Sequence, residues 1–486
     1  MNQNNTHKIL KPVWLILPVM ALAFYIAFIP HQTYPYPVHI DDWVHMAFAE
    51  AILEAGSTTY EDPFYGGSES LSTNLETGFQ VFWGVFHRIS GLPWIDIFRY
   101  FPSVIFALTV LSVYVLAQRR GFGLEAALFA CLILTTVGLL GPGFLVPISL
   151  AFLFVALTIF VAFTFSGIWS YVTVFIFNCL LLSIHAPSAI CLSIILIPYL
   201  LLNLRGNFKH SLGVGLALAV PFLAILPWVF NSVLPILREL STTQGLPEYV
   251  DFPRIIRTYG YLPTGLCLLG TLVLSLKGGR QNYGLVLGFL ALLVMLVMFF
   301  TFQYGMTIVY WRGLMFMMLM MGIMAGAGLM AIKEFRLPER FMTKAGNITR
   351  YLAWSLCLVI VGITFYISIP HRQNIQYYHM IDDEDYQAFV WIKENVAEQY
   401  DKAILDPWKA TPFTAITGKQ VYIRTHFFAT PVAVEASRFL AEGCLDTEFL
   451  QQNGISIIYT EGICDNSDLT EVKEGIYLLD KIEDSS

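Results

Sequence analysis

The sequence predicts a polytopic α-helical membrane protein of about eleven transmembrane helices, followed by a smaller α/β domain outside the membrane. Of its 486 residues, 56% are hydrophobic and only 13% are charged, whereas a soluble domain carries about 25% charged residues. Eleven apolar stretches approach the ~20 residues that cross a bilayer. This composition excludes one large soluble enzyme, and the chain is too apolar to be disordered.

The candidate spans follow one another along the first 370 residues. The stretches 171–185 and 188–203 are short, so the count is open by one or two helices. The first span is not a cleaved signal peptide, because no small-residue cleavage site follows it and ten more spans do. The eleven stretches are 13–30, 98–118, 124–141, 146–165, 171–185, 188–203, 212–231, 260–276, 283–303, 311–332 and 351–370.

Basic residues indicate the orientation. With a cytoplasmic N-terminus, 13 of the 19 Lys and Arg residues of 1–370 face the cytoplasm, as the positive-inside rule favours. A long first loop (31–97), a second loop (232–259) and the C-terminal domain then lie outside the cytoplasmic membrane. The apolar stretch 78–91 is interrupted by His87 and Arg88, so we expect it to form a helix lying in the outer interface.

Charge separates two domains. Residues 371–486 hold 9 basic and 20 acidic residues, whereas residues 1–370 hold 19 basic and 15 acidic ones. We therefore expect a transmembrane domain over 1–370 and an acidic, extracytoplasmic soluble domain over 371–486. A nucleic-acid partner is not expected, because such a partner needs a basic face.

The C-terminal composition predicts a small α/β unit. Residues 383–397 have the apolar spacing of a helix, and KAILD, KQVYIRTHF, ISIIYTEG and GIYLLDKI are typical of strands. Cys444 and Cys464 are the only cysteines of this domain. In an oxidising exterior they would pair and close a loop worth roughly 3 kcal/mol, and two unlinked thiols are the alternative.

The segment VHIDDWVHMAFAEAILEAG (38–56) carries the most chemical information. Asp41 and Asp42 follow the first span closely and open an amphipathic helix, whose N-terminus we expect them to cap. His45 comes four residues after Asp41 and shares its helix face. The pair is either a solvated cap or a membrane-surface carboxylate that acts as a general base or a metal ligand.

An acidic pair after the first span, opening a long outer loop, resembles the GT-C superfamily of membrane glycosyltransferases, which use polyprenyl-phosphate-linked sugars. Further segments resemble, in order, parts of the oligosaccharyltransferase catalytic subunit and its archaeal relatives. They are the Gly-rich YGGSESLSTNLETGF, FRYFPSVIFALTVLSVYVLAQRRG, IHAPSAICLSIILIPYLLL and YWRGLMFMMLMMGIMAGAGL, and the start of the soluble domain. The resemblance covers most of the chain and implies a GT-C-like fold.

The chain also departs from that subunit. The loop VGLLGPGFLVP (137–147) has no carboxylate where the subunit has its second acidic motif. The short motif that ends in Glu is matched by STTQ, with Gln244 in place of the acid. LDPWKAT (405–411) stands where the subunit has WWDYG. Two metal-ligand positions and the reader of the asparagine acceptor are therefore altered or missing, and a divalent Mg or Mn ion is left open.

These departures favour a hydroxyl acceptor over an asparagine amide. Transfer to a hydroxyl needs one general base and cations on the phosphate leaving group. Asp41 or Asp42 would be the base. His45 would either support the carboxylate or be a polar residue of the helix face without a catalytic role. Arg312, at the outer end of a span, is the first candidate for the phosphate. Arg254 and Arg257 are further candidates, and a solvated loop explains both equally well.

Two other functions remain open. A GT-C-fold protein without the second acidic motif could bind a lipid-linked glycan and catalyse nothing. A transporter would carry ionisable residues in mid-span or paired broken helices. The span centres here are nearly free of charge, which ranks transport lower. Expected partners are a polyprenyl-phosphate-linked sugar and membrane lipid.

Overall fold

The computed structural model describes residues 13–69, 76–228, 252–302, 305–335, 345–424 and 430–480. The chain forms two compact units. Unit 1 comprises Met1–Thr33 and Phe98–Tyr377, and unit 2 comprises Tyr34–Ile97 and Tyr378–Ser486. The first loop therefore belongs to the same unit as the C-terminal residues.

The elements are numbered in chain order. The helices are α1 (Ile16–Phe28), α2 (Ile40–Ala55), α3 (Thr77–Ser90), α4 (Trp94–Gln118), α5 (Gly123–Ala130), α6 (Pro147–Thr164), α7 (Ile168–Asn203), α8 (Phe208–Trp228), α9 (Phe252–Tyr259), α10 (Tyr261–Lys277), α11 (Arg280–Phe302), α12 (Thr307–Lys333), α13 (Ala345–Gln373), α14 (Asp383–Asn395), α15 (Ala410–Thr417), α16 (Pro431–Ala441) and α17 (Thr447–Gln452). The strands are β1 (Tyr60–Glu61), β2 (Ser68–Glu69), β3 (Lys402–Ile404), β4 (Gln420–Val421), β5 (Ile457–Tyr459), β6 (Leu469–Lys473) and β7 (Ile476–Leu479).

The chain is an integral membrane protein. Among the described residues, seven helices are long and apolar enough to cross a bilayer, and two shorter apolar helices, Ile16–His31 and Tyr261–Lys277, accompany them. Together these nine described helices are two fewer than the eleven spans predicted. Two stretches of the sequence account for the difference.

The first difference is at 124–141, where helix α5 ends at Ala130. The chain then runs as buried turns, and Thr136 and Leu139 exchange main-chain hydrogen bonds of 3.0 and 3.1 Å. A single span over 124–141 is therefore wrong. The reason is local, because threonines and the Gly-Pro-Gly sequence at 141–143 disfavour a helix however apolar the segment is.

The second difference is at 171–185 and 188–203, which the structure joins as the two arms of α7, a helix of 36 residues. The break between the arms is at His185, whose φ of −164° and ψ of 84° are not helical. Pro187 lacks the N–H that would continue the helical hydrogen bonds. The Nδ1 atom of buried His185 lies 2.6 Å from Ser188 Oγ, which holds the ring at the break.

Helix α12 is the core of unit 1. Nearly all its residues from Val309 to Leu329 are buried, and it packs against α5, α7, α10 and α11. Glycines permit this close approach. A Cβ atom on Gly270 of α10 would lie 1.8 Å from the Met324 carbonyl oxygen, and one on Gly328 would lie 2.1 Å from that of Leu266. Small residues at helix contacts are the usual means of close packing in membranes.

Unit 2 contains a five-stranded mixed sheet in the order β4-β3-β5-β7-β6. Strand β3 is parallel to β4 and β5, and β7 is antiparallel to β5 and β6. Ile458 packs into an apolar cluster with Phe439 and Leu450. Tyr459, the next residue, lies with its ring 5.1 Å from that of Phe389 in α14. Successive strand residues point to opposite faces, so helices cover both sides of the sheet.

The first loop completes unit 2. Helix α2 packs against α3 and against α15. The Tyr34 hydroxyl donates to the Ile381 carbonyl at 2.8 Å and accepts from the Ile381 N–H at 3.3 Å. The Tyr36 hydroxyl donates to Asp383 Oδ1 at 2.8 Å. The predicted helix at 78–91 is present as α3.

Candidate functional site

Helix α2 begins one residue before the acidic pair. Its N-cap is His39, which has extended backbone angles and whose Nδ1 accepts a 3.1 Å hydrogen bond from the Asp41 N–H. The expectation that the aspartates cap the helix is therefore wrong. They occupy its first turn, where a negative charge interacts favourably with the helix dipole. Since Nδ1 accepts that proton, His39 caps as the neutral imidazole, and its 3.7 Å contact with Asp41 Oδ2 is not an ion pair.

The two aspartates differ in exposure. The Asp41 side chain is 36% exposed, whereas Asp42 is 1% exposed. Consecutive helix positions project about 100° apart, so the Asp41 carboxylate is accessible to solvent while that of Asp42 is buried. A molecule in the surrounding solvent can therefore reach the Asp41 carboxylate without rearrangement of the fold.

His45 lies on the side of α2 that meets α3. It is 5% exposed, its Nε2 lies 3.7 Å from Glu76 Oε2, and its ring centroid is 4.9 Å from that of Phe79. These contacts give His45 a packing role between the two helices.

The loop after α2 forms a turn that hydrogen bonds stabilise. Asp62 Oδ1 accepts from the N–H groups of Phe64 and Tyr65 at 2.7 and 3.2 Å, and the Asp62 N–H donates to the Gly67 carbonyl at 2.8 Å. Such a side-chain turn is a common structural use of aspartate. The Asp62 carboxylate therefore has a structural role, since it stabilises the turn of its own loop.

This turn is bonded to the C-terminal part of unit 2. The Val421 N–H donates to the Phe64 carbonyl at 2.9 Å, Gln420 Nε2 donates to Glu61 Oε1 at 3.1 Å, and the Arg424 N–H donates to Tyr65 Oη at 3.2 Å. The guanidinium carbon of Arg424 lies 4.0 Å from the centre of the Phe64 ring. Arg424 was not among the candidates, because the sequence places it inside a strand-like stretch far from Asp41.

The predicted phosphate ligands lie in unit 1 or outside the described residues. Arg312 is in the second turn of α12 and is partly buried. Arg257 is exposed near the end of α9. Arg254 belongs to the same helix, but its side chain is outside the described part, as is Gln244.

Cys444 and Cys464 are joined by a disulfide, with their Cα atoms 5.1 Å apart. Two hydrogen bonds join the same segments: Asn466 Nδ2 donates to the Cys444 carbonyl at 2.8 Å, and the Asp465 N–H donates to the Gly443 carbonyl at 3.0 Å. The disulfide belongs to the apolar cluster of unit 2.

The described residues do not complete a metal site. Within them, no three His, Cys, Asp or Glu side chains cluster as a metal would require. Asp41 and Asp42 diverge on the helix, so the pair alone is a poor chelate for Mg²⁺ or Mn²⁺, which favour several oxygen ligands.

No protein-family model matches this sequence, and no curated protein matches it significantly. Solved structures do. The oligosaccharyltransferase AglB from Archaeoglobus fulgidus, in complex with an inhibitory peptide and a dolichol-phosphate, matches with a TM-score of 0.61 at 13% identity, over 92% of this chain and 69% of that one. A further structure of the A. fulgidus oligosaccharyltransferase contains Zn and sulfate.

Two other enzymes match as well. ArnT from Cupriavidus metallidurans, bound to undecaprenyl phosphate, has a TM-score of 0.57 and 12% identity, over 97% of this chain and 99% of that one. The arabinofuranosyltransferase AftD from Mycobacteria has a TM-score of 0.58 and 13% identity, over 97% of this chain and 40% of that one. The chain therefore has the fold of the GT-C membrane glycosyltransferases, as the sequence predicted.

Proposed function

We propose that this chain is a membrane glycosyltransferase that transfers a sugar from a polyprenyl-phosphate-linked donor to a hydroxyl group at the outer membrane face. The observation that carries the proposal is the solvent-accessible Asp41 in the first turn of α2. The GT-C fold supports it, since matched structures were solved with dolichol-phosphate and undecaprenyl phosphate.

Asp41 acts as the general base. Its carboxylate accepts the proton of the acceptor hydroxyl while that oxygen attacks the anomeric carbon of the sugar. The bond between this carbon and the phosphate oxygen breaks, and the electron pair leaves with the polyprenyl phosphate. The neutral His39 cap and the helix dipole hold Asp41 in place. Asp42 is the alternative base, and its burial argues for a positioning role.

Cations stabilise the departing phosphate, whose negative charge increases in the transition state. Arg312 remains our candidate in unit 1, because a guanidinium pairs well with phosphate oxygens. An acceptor hydroxyl requires less activation than an amide nitrogen. One base is therefore sufficient where the asparagine-directed enzyme uses several carboxylates.

A lipid-linked-glycan binder without catalysis is the second candidate. The observation in its favour is the segment 137–147, which has no carboxylate and forms buried turns in unit 1. Binding of the lipid is common to both candidates. Only turnover separates them.

The test is release of polyprenyl phosphate from a polyprenyl-phosphate-linked sugar, measured with purified protein reconstituted with a native membrane extract that supplies the acceptor. We expect wild type to release it, and Asp41→Asn/Asp42→Asn to release none above background. Glu54→Gln is the matched control, since Glu54 is exposed at the far end of the same helix.

Unchanged release by the double variant would show that neither aspartate is the base. A wild type that retains the lipid by native mass spectrometry and never releases the phosphate would favour the binder. Retention of bulk phospholipid alone would favour transport.

A further inference from the structure

A basic pocket lies in unit 1, at the end of the helix bundle where α4 and α10 finish and α11 begins. Its volume is about 590 Å³, which is within the range of ligand-binding pockets. Met330 of α12 lines it, and Arg312 lies about 27 Å away along the same helix. The pocket is therefore separate from the phosphate candidate of the proposed function. Its polar lining consists of Arg119, Arg120, Lys277, Arg280, Gln281 and Asn282.

The charge of this basic pocket is not balanced by the protein. Four of its lining residues are Lys or Arg, and no carboxylate lines it within the described part of the chain. Lys277 Nζ lies 3.6 Å from Glu334 Oε2, and both side chains are exposed, so this ion pair is weak. Among the described residues, no carboxylate forms an ion pair with Arg119, Arg120 or Arg280. Neighbouring cations repel one another, and an anion between them would relieve that repulsion.

Two of the arginines are held in place by the fold. Arg120 Nη1 donates to the Leu116 carbonyl at 2.7 Å, and its Nη2 donates to Gln281 Oε1 at 3.3 Å. The Arg280 guanidinium lies against the backbone of Gly206, where a Cβ atom would collide with it. The Arg280 side chain is nevertheless exposed, so a ligand can reach it. A ligand that binds to such a preorganised site loses less of its affinity to side-chain ordering.

The position of Arg280 requires an explanation. Arg280 is the first residue of α11, and the first turn of this helix contains no acidic residue. The N-terminus of a helix carries a partial positive charge, so a cation there is unfavourable, whereas Lys277 in the last turn of α10 is favourably placed. An anion in the pocket would interact favourably with Arg280 and with the N–H groups of the first turn. The placement of Arg280 therefore indicates an anionic ligand.

The helix that provides Lys277 also has an exposed apolar face. Leu268, Leu272 and Leu276 of α10 are 66%, 57% and 78% exposed, and their spacing of four residues places them on one side of the helix. This face extends to the residue directly before Lys277. An inorganic anion would not contact these leucines. A phospholipid, in contrast, would place its phosphate among the cations and an acyl chain along the leucines.

We propose that the basic pocket binds the phosphate headgroup of an anionic phospholipid. Arg119, Lys277 and Arg280 contact the phosphate oxygens, and Arg120 adds positive charge from its fixed position. Basic pockets between transmembrane helices on the cytoplasmic side suit such headgroups, and the positive-inside rule predicts that this end of the bundle is cytoplasmic. The bound lipid joins the ends of α4, α10 and α11. The inference does not depend on the proposed function, because no residue of the pocket takes part in it.

The experiment measures the affinity of the purified full-length protein in detergent for phosphatidylglycerol and for phosphatidylcholine with the same acyl chains, by native mass spectrometry. We expect wild type to prefer phosphatidylglycerol. Lys277→Gln/Arg280→Gln should lose about tenfold or more of that preference, while its affinity for phosphatidylcholine is unchanged. Lys277→Arg/Arg280→Lys keeps both charges and should keep most of the preference. The matched control is Lys209→Gln/Arg350→Gln, which removes one exposed lysine and one exposed arginine that do not line the pocket.

Each outcome decides for or against the phospholipid site. No preference in wild type, or an equal loss in the control variant, would overturn it, since net charge alone would then explain any attraction. A loss for both lipids that also occurs in Lys277→Arg/Arg280→Lys would show that the two residues are only structural. Displacement of phosphatidylglycerol by an equal concentration of inorganic phosphate would mean that the pocket takes a free anion. Displacement by a lower concentration of polyprenyl phosphate would make it a site for the donor lipid, which also overturns the assignment. Sugar transfer is not measured, so failure of the proposed function would leave these results unchanged.

Discussion

The Nζ atom of Lys409 lies 2.7 Å from Oδ1 of Asp385, a carboxylate that is 3% exposed. The Tyr459 hydroxyl donates to the same oxygen at 2.7 Å. Asp385 also belongs to a capping box with Asp382 at the start of α14. One carboxylate thus joins a helix start, a central strand and the residue before α15. Lys409 provides the positive charge that this buried carboxylate requires.

Replacing Lys409 should destabilise the protein. We expect Lys409→Met to cost about 3 kcal/mol, because it leaves the Asp385 carboxylate buried without its cation. The measurement is thermal unfolding of the purified protein in detergent. Lys393→Met is the control, since Lys393 is exposed on the neighbouring helix α14. If Asp385→Asn/Lys409→Met were no more stable than Lys409→Met alone, the ion pair would not be the reason for the loss.

The contribution of Lys409 to stability should be lost at alkaline pH. Burial lowers the pKa of Lys409, but the hydrogen bonds that it donates to Asp385 and Glu461 outweigh this effect and raise that pKa above its ordinary 10.5. The folded state therefore holds the proton more tightly than the unfolded state. The contribution is complete below the ordinary pKa and is lost as the pH rises through the folded one. Melting temperatures of wild type and Lys409→Met should differ by a constant amount from neutral pH up to the ordinary pKa of 10.5 and should converge as the pH rises through the folded-state pKa.

The two aspartates of α2 should respond differently. Asp41→Asn removes an exposed base, so we expect release of polyprenyl phosphate to fall by about 10²–10⁴-fold with little change in melting temperature. Asp42→Asn places an amide, which donates as well as accepts, at a position 1% exposed. We expect it to lower the melting temperature. A reversed pattern, with an unstable Asp41→Asn and an inactive but stable Asp42→Asn, would identify Asp42 as the base.

Reduction of the disulfide between Cys444 and Cys464 should lower the melting temperature, and no other disulfide contributes to the effect. The other cysteines, Cys131, Cys179, Cys191, Cys267 and Cys357, are free, so a reductant acts on one bond. Opening a loop with a sequence separation of 20 should cost about 3 kcal/mol. Dithiothreitol should lower the melting temperature of wild type, and it should leave that of Cys444→Ala/Cys464→Ala unchanged. Equal sensitivity of the two proteins would contradict this account.

Substitution by alanine should affect stability differently at two glycines of α10. A Cβ atom on Gly270 would lie 1.8 Å from the Met324 carbonyl oxygen, whereas one on Gly265 meets nothing within 4 Å. Alanine in a helix is favoured over glycine by about 0.8–1.0 kcal/mol. Gly265→Ala should therefore be neutral or stabilising, and Gly270→Ala should force α10 and α12 apart. Monodispersity and melting temperature in detergent measure both effects.

Much of the fold could be predicted from the sequence because hydropathy and helical spacing are local signals. Helix 383–397 is present as α14, and strands formed in each of the four stretches expected. The run at 131–141 was misread because hydropathy reports burial and not backbone geometry, whereas the division between 171–185 and 188–203 coincides with the break in α7 at His185. Strand β6 was missed, since four of its five residues are exposed and carry no apolar alternation.

Only part of the candidate site could be predicted from the sequence. Asp41 and Asp42 were identified from their position, but exposure, which separates them, depends on packing. Arg424 gave no local signal at all. Its position beside Phe64 follows from hydrogen bonds between the turn at 61–67 and the segment 420–424, over 350 residues apart in the chain. Rules based on residue spacing cannot predict contacts between residues so far apart in the chain.

The paired hydrogen bonds of Tyr34 with Ile381 join positions separated by 347 residues. At about 5–20 residues per second of synthesis, the ribosome needs roughly 20 to 70 s to reach Ile381 after Tyr34. Every helix from α4 to α13 is made in that interval. Helix α2 therefore waits for α15, the helix against which it packs in the finished fold. Biogenesis of this chain thus has a vulnerable period that lasts until α15 has been made, and a chain that stops before α15 would leave the proposed base on an unfinished unit.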